Sequence, residues 1–134
     1  MVCVILIAED EVMVRNLIRH ILEAEGHEIL AAADGYEALE LSRGYAGAID
    51  MLITDIKMPR MDGLALIEKL LKERPNMRIL VMSGHHSEEV RGKDAGFTFL
   101  RKPFPVGVFR DKVREVLGDT PGERTRECPV DRRK

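Results

Sequence analysis

Six side chains able to do chemistry stand where apolar runs give way to loops. Glu9, Asp10 and Glu11 follow the run Val2–Ala8, and Asp55 follows Ile49–Thr54. Ser83 follows Arg78–Met82, and Lys102 comes just after Phe97–Leu100. Clustered carboxylates repel one another unless a cation is present. Oxygen-only ligands suit a hard ion such as Mg²⁺, which keeps several waters and leaves a position for a phosphoryl oxygen. A carboxylate at the floor of such a pocket can act as a nucleophile and form an acyl phosphate. The metal and Lys102 would neutralise charge on the transferring group, and Ser83 would donate a hydrogen bond to one of its oxygens. Of the acids, Asp55 is the best placed to be the nucleophile, while Glu11 begins a helix and is expected to turn away.

These residues can meet only if the apolar runs are neighbouring strands with a common direction. Val2–Ala8 is continuous and rich in β-branched residues, as for a strand buried on both faces. Val12 to Glu25 switches to helical spacing, with Val14, Ile18, Ile21 and Leu22 on one face and Gly26 at the end. The alternation continues with strand Glu28–Ala32, a turn at Asp34-Gly35, helix Tyr36–Ser42, strand Ile49–Thr54 and helix Leu64–Glu73. Strand Arg78–Met82, a short helix Ser87–Lys93, strand Phe97–Leu100 and a helix to about Leu117 complete it. Five strands alternating with five helices imply an α/β fold, a parallel sheet covered on both faces. With right-handed crossovers the economical solution is the doubly wound, flavodoxin-like order 2-1-3-4-5. In that arrangement ligands bind at the carboxyl ends of the strands, where the strand order reverses.

With the chemistry and the elements in place, the chain resembles a bacterial two-component response-regulator receiver domain, of the chemotaxis type, over residues 2–117. Glu9-Asp10 is similar to that family's metal-binding pair. Thr54-Asp55-Ile56-Lys57-Met58-Pro59, followed by Met61-Asp62-Gly63, resembles its phosphorylation loop. Ser83-Gly84, Phe99 and Lys102-Pro103-Phe104 match its switch hydroxyl, rotating aromatic and lysine-proline motif. The resemblance implies Asp55 as phosphoacceptor, Asp10 and Asp55 as direct Mg²⁺ ligands, Glu9 acting through water, and the backbone carbonyl of Lys57 as a further ligand. It also implies Lys102 and Ser83 as catalytic and switch residues, Phe99 as a switch residue, and a cis bond before Pro103. The implied donor is a sensor histidine kinase or a histidine phosphotransfer protein. Met13 and Leu17, at spacing i, i+4 on the edge of the stripe filled by Val14, Ile18 and Ile21, are surplus apolar surface next to the reactive site, so the donor is expected to dock beside the first helix. A downstream protein target would read the switched state. The short segment between Ser83 and Lys102, interrupted by Gly92, departs from the family and concerns its output surface.

Other classes fit less well. An aspartate-nucleophile phosphatase of the haloacid-dehalogenase type has a second acid two residues after the first, where this chain has Lys57. A flavin-mononucleotide binder needs a Ser/Thr/Gly phosphate loop after the first strand, where this chain has Glu9-Asp10-Glu11. A pseudo-receiver, binding proteins without phosphorylation, is the remaining alternative. The chain has 134 residues, is 45% hydrophobic and 33% charged, and carries a formal net charge of −2. That is a globular balance without the basic excess that would draw it to nucleic acid. Aromatics are only 4%, and the longest apolar run is too short to cross a bilayer. Cys3 and Cys128 are read as reduced rather than paired, which with the missing signal peptide suggests a cytoplasmic protein. Adjacent His85-His86 read as solvated, and His20 and His27 as surface residues. Residues 1–117 form the expected domain and 118–134 a flexible tail, in a monomer or weak dimer. The tail is too short for an effector, so a stand-alone receiver or one excised from a hybrid kinase is expected.

Overall fold

Each apolar run becomes a strand whose alternate side chains enter two different cores, which explains why the runs are continuous rather than alternating. The computed structural model describes residues 2–84 and 97–118. Its elements are β1 (Val4–Ala8), α1 (Val12–Ala24), β2 (Glu28–Ala32), α2 (Gly35–Gly44) and β3 (Met51–Asp55). They continue with α3 (Gly63–Glu73), β4 (Arg78–Ser83), β5 (Thr98–Arg101) and α4 (Val106–Leu117). The strands pair in parallel in the order β2-β1-β3-β4-β5, as the alternation predicts. On one face Ile5, Ile7, Ile53 and Met82 pack with Ile18 and Leu22 of α1 and with Phe109 and Val113 of α4. On the other, Leu6, Leu52 and Val81 pack with Leu39 of α2 and with Leu66, Ile67 and Leu70 of α3. The expected helix Ser87–Lys93, His85-His86, Gly92 and residues 119–134 lie outside the described residues.

Two sequence expectations fail at the edge of the sheet opposite the acids. His27 is buried, because Gly26 (φ 94°) turns the chain sharply into β2 and His27 Nδ1 accepts the Cys3 amide at 3.0 Å. Cys3 is buried and disulfide-bonded rather than reduced, so cysteine usage no longer speaks for a reducing compartment. Separation along the chain says nothing about such a pairing, and Cys128, the other cysteine, lies outside the described residues. No helix among the described residues is long and apolar enough to cross a membrane.

Both ends of α3 are pinned by polar contacts. At its start the Asp62 side chain accepts the Ala65 amide at 2.9 Å, a helix N-cap. Gly63 packs onto the last residue of β3: a Cβ there would run into the Asp55 carbonyl and lie 3.0 Å from Ile56 Cα. At its end Arg74 donates to Ser42 Oγ and to the carbonyls of Ser42, Tyr45 and Gly47, all at 2.8 to 2.9 Å. One guanidinium thereby gathers the carbonyls at and just beyond the end of α2.

Arg74→Ala should lower stability by about 1–3 kcal/mol in urea unfolding, because it removes the charged donor of four hydrogen bonds, those to Ser42 and Tyr45 partly buried. Gly63→Ala should cost about 2–4 kcal/mol, since only backbone movement can make room for the methyl group. By contrast Gly107→Ala, at a helical position with open space around it, should be neutral or stabilise by roughly 0.5 kcal/mol.

Candidate functional site

Because all strands are parallel, their carboxyl ends share one edge, and the reactive residues collect there. Glu9 directly follows β1 and its amide donates to the Ala32 carbonyl at 3.1 Å, extending the ladder by one residue and leaving the side chain fully buried. Asp55 is the last residue of β3, opposite Met82 of β4, and Ser83 ends β4 opposite Arg101. The Lys102 amide donates to the Ser83 carbonyl at 2.9 Å, and the Lys102–Pro103 peptide is cis, as the family resemblance implied.

Lys102 is the hub of the site. Its ammonium donates to Asp55 Oδ2 at 2.8 Å and to Glu9 Oε1 at 2.9 Å, with its own side chain only 14% exposed. The remaining oxygens are also engaged: Asp55 Oδ1 accepts the Ile56 amide at 2.7 Å, and Glu9 Oε2 accepts the Glu11 amide at 3.0 Å. Glu11 does not turn away, contrary to expectation. Its exposed carboxylate lies 3.4 Å from the Lys102 ammonium, because the first turn of α1 starts directly over the pocket.

Burial raises the pKa of Asp55 and of Glu9, and the Lys102 hydrogen bond only partly offsets this. For Lys102, burial works against the charged form, but Asp55 and Glu9 together outweigh it and its pKa rises. Asp10 is exposed at the rim, and one oxygen each from Glu9, Asp10 and Asp55 lie within 4.8 Å of one another. Three carboxylates against one ammonium leave an excess of negative charge. The all-oxygen donor set therefore fits a hard divalent cation.

Asp10, Glu11 and Asp55 line an open cleft of about 1030 Å³, with Val14, Leu17, Pro103 and Phe104 among its apolar lining and Lys57 and Met58 also contributing. Leu17 (45% exposed) lines this opening, and Met13 (85% exposed) precedes it by about one turn of α1. Ser83 is fully buried, and Phe99, opposite Val81, is half-buried against the core under α2 and α3. Of the residues singled out from the sequence, Glu9, Asp10, Asp55 and Lys102 gather here, whereas Ser83 and Phe99 do not line the cleft. Sequence reasoning missed three features: the reach of Glu11, the close approach of Gly63, and Arg60. Arg60 has a positive φ of 69° and pairs with Asp34, 26 residues away. Only the turn residues flanking Arg60 hinted at an unusual backbone there.

Comparison with known proteins agrees with this arrangement. A family profile described as "Response regulator receiver domain" matches residues 5–114. The chain is 34% identical over 116 residues to sensor kinase CckA of Brucella abortus, covering 84% of this chain and 12% of that kinase. It is 33% identical over 119 residues to aerobic respiration control protein ArcA of Escherichia coli, covering 87% of this chain and 49% of that protein. It thus spans about half or less of the length of these relatives. The crystal structure of the receiver domain from hybrid histidine kinase CckA superposes with a TM-score of 0.73 at 37% identity, covering 85% of this chain and 98% of that one. On sequence, fold and the matched span together, the chain belongs to the response regulator receiver domains of two-component systems.

Proposed function

We propose that the domain accepts a phosphoryl group on Asp55 from a histidine kinase or histidine phosphotransfer protein, in a Mg²⁺-dependent reaction. The observation that carries this reading is the Asp55 carboxylate itself. It is held by the Ile56 amide and the Lys102 ammonium at the floor of an open cleft, with Asp10 and Glu9 beside it. A carboxylate oxygen of Asp55 attacks phosphorus, the phosphorus–nitrogen bond of the donor phosphohistidine breaks, and its electron pair leaves on the imidazole nitrogen. Lys102 offsets charge on the transferred group, and the Ser83 hydroxyl donates to one of its oxygens. Bound Mg²⁺ would supply further charge neutralisation at the phosphoryl oxygens. Asp10 and Asp55 would hold it directly, with the Lys57 carbonyl. Glu9, whose oxygens already accept from Lys102 and Glu11, would act through water.

The exposed Met13 and Leu17, beside the apolar lining of the cleft, support docking of the phosphodonor protein at α1. Phe99, half-buried on β5, has the setting for a side chain that follows Ser83 toward the acyl phosphate. We take residues 1–117 as the receiver unit and 118–134 as a tail. The family match within residues 5–114 supports this, as does the left-handed Gly118 (φ 85°) that closes α4.

Intact mass after incubation with a small phosphodonor and Mg²⁺ should show one added phosphoryl group in the wild type and none in Asp55→Asn. A wild-type chain that stays unmodified would replace this reading with that of a pseudo-receiver. Lys102→Ala should still label, but about 100-fold more slowly. Ser83→Ala should label without passing the change on to Phe99, which aromatic resonances would report. Added Mg²⁺ should raise the melting temperature of the wild type and leave Asp10→Asn almost unaffected, since only a bound ion stabilises by mass action. Met13→Asp with Leu17→Asp should slow transfer from a phosphorylated histidine protein by about tenfold or more. The same pair of changes should leave labelling by the small phosphodonor intact.

A further inference from the structure

The segment joining β3 to α3 turns sharply at Pro59-Arg60-Met61. The Met61 amide donates to the Pro59 carbonyl at 2.7 Å, closing a three-residue turn around Arg60, whose φ is +69°. A three-residue turn with positive φ at its centre is the strained hand of this motif, and arginine has none of glycine's freedom there. Backbone in such a conformation persists only where its surroundings hold it.

What holds it comes from α2. Arg60 Nε donates to Asp34 Oδ2 at 2.8 Å, and the guanidinium carbon lies 4.8 Å from the centre of the Tyr36 ring. Asp34 is a firm anchor. It is buried, its Oδ1 caps α2 by accepting the Glu37 amide at 2.8 Å, and Glu37 Oε1 in return accepts the Ala33 amide at 2.7 Å. The guanidinium in turn holds the Asp34 carboxyl below its usual pKa. Beneath the ion pair the two backbones touch: a Cβ on Gly35 would lie 2.7 Å from the Met61 carbonyl oxygen. Lys57 and Met58, three and two residues before Arg60, line the cleft with Asp55.

We infer that Arg60 is a positioning residue: with Asp34 and Tyr36 it clamps the 56–62 segment to the start of α2 and so fixes Lys57 and Met58 against the acidic pocket. An isolated ion pair on an exposed surface contributes little to stability. This one sets the place of a turn the backbone would not adopt unaided, so its effect belongs to the pocket rather than to the fold as a whole. The chemical consequence rests on the phosphoacceptor reading above; the structural one does not.

The test uses the full chain with Arg60→Ala, Arg60→Gly, Arg60→Lys and Asp34→Asn, which keeps the helix cap. The first readout is hydrogen exchange in metal-free protein at the Gly63 amide, which donates to the Ile56 carbonyl across the base of the segment. Arg60→Ala and Asp34→Asn should each speed this exchange roughly tenfold while the urea midpoint stays near wild type. The double variant should be no faster than either single one, and Arg60→Lys should recover most of the protection. Arg60→Gly, which relieves the turn but loses the clamp, should exchange like Arg60→Ala. The second readout is labelling by a small phosphodonor across a Mg²⁺ titration. The clamp variants should need roughly threefold or more Mg²⁺ for half-maximal rate and keep the rate at saturation. Wild-type exchange in Arg60→Ala or Arg60→Gly, or additive effects of the two single variants, would overturn the clamp. If the wild type itself never labels, the phosphoacceptor reading fails, and the exchange result decides the clamp alone.

Discussion

Two carboxylates taken out of water at the end of a sheet need a cation among them, and the site is organised around that need. Glu9 is fully buried and Asp55 nearly so, and one ammonium, from Lys102, reaches both at under 3 Å. Without that contact each would be a poorly compensated buried charge, the costly case for an ion pair. The requirement extends outward. Lys102 is brought to Asp55 by the placing of β5 beside β4 and by its own amide, which is fastened to the Ser83 carbonyl. The strand order is therefore a condition of the chemistry as well as a packing solution.

The ammonium does not balance the site completely. Asp10 at the rim and Glu11 over the pocket add negative charge that Lys102 cannot offset alone. That leaves a pocket electrostatically poised for a small hard cation, with the apolar wall of the cleft open beside it. A site of this kind is well suited to a group that arrives with its own charge and leaves again.

The two ends of the sheet are built differently. At the carboxyl end, charged side chains converge and the segment after β3 is held by contacts to its neighbours: Gly63 against Asp55, and Arg60 against Asp34. At the other end, polar groups serve closure. His27 accepts from Cys3, Asp50 Oδ2 accepts from the Val4 amide at 2.8 Å, and Arg74 gathers the carbonyls where α2 ends. Both ends use buried polar contacts, but among the described residues it is the first that leaves excess charge facing an opening.

By itself the sequence determined the alternation of strands and helices, the doubly wound order, and the set of residues that end the strands. Those features are local: apolar periodicity fixes which segments are strands, and parallel connection then sends Glu9, Asp55, Ser83 and Lys102 to one edge whatever the side chains do. Tertiary structure alone decided which of them touch. Lys102 bridging Asp55 and Glu9, Glu11 leaning over the pocket, and Arg60 reaching Asp34 each join residues between 26 and 93 positions apart, at separations that no pattern of spacing encodes. His27 and Cys3 show the same limit from the other side. Cys3 belongs to an apolar run and its burial is legible, but its contact with His27, and the burial of His27, arise because the turn at Gly26 and the start of β1 meet. Periodicity reports how one segment meets the core, whereas contacts between loops depend on where several segments end in space.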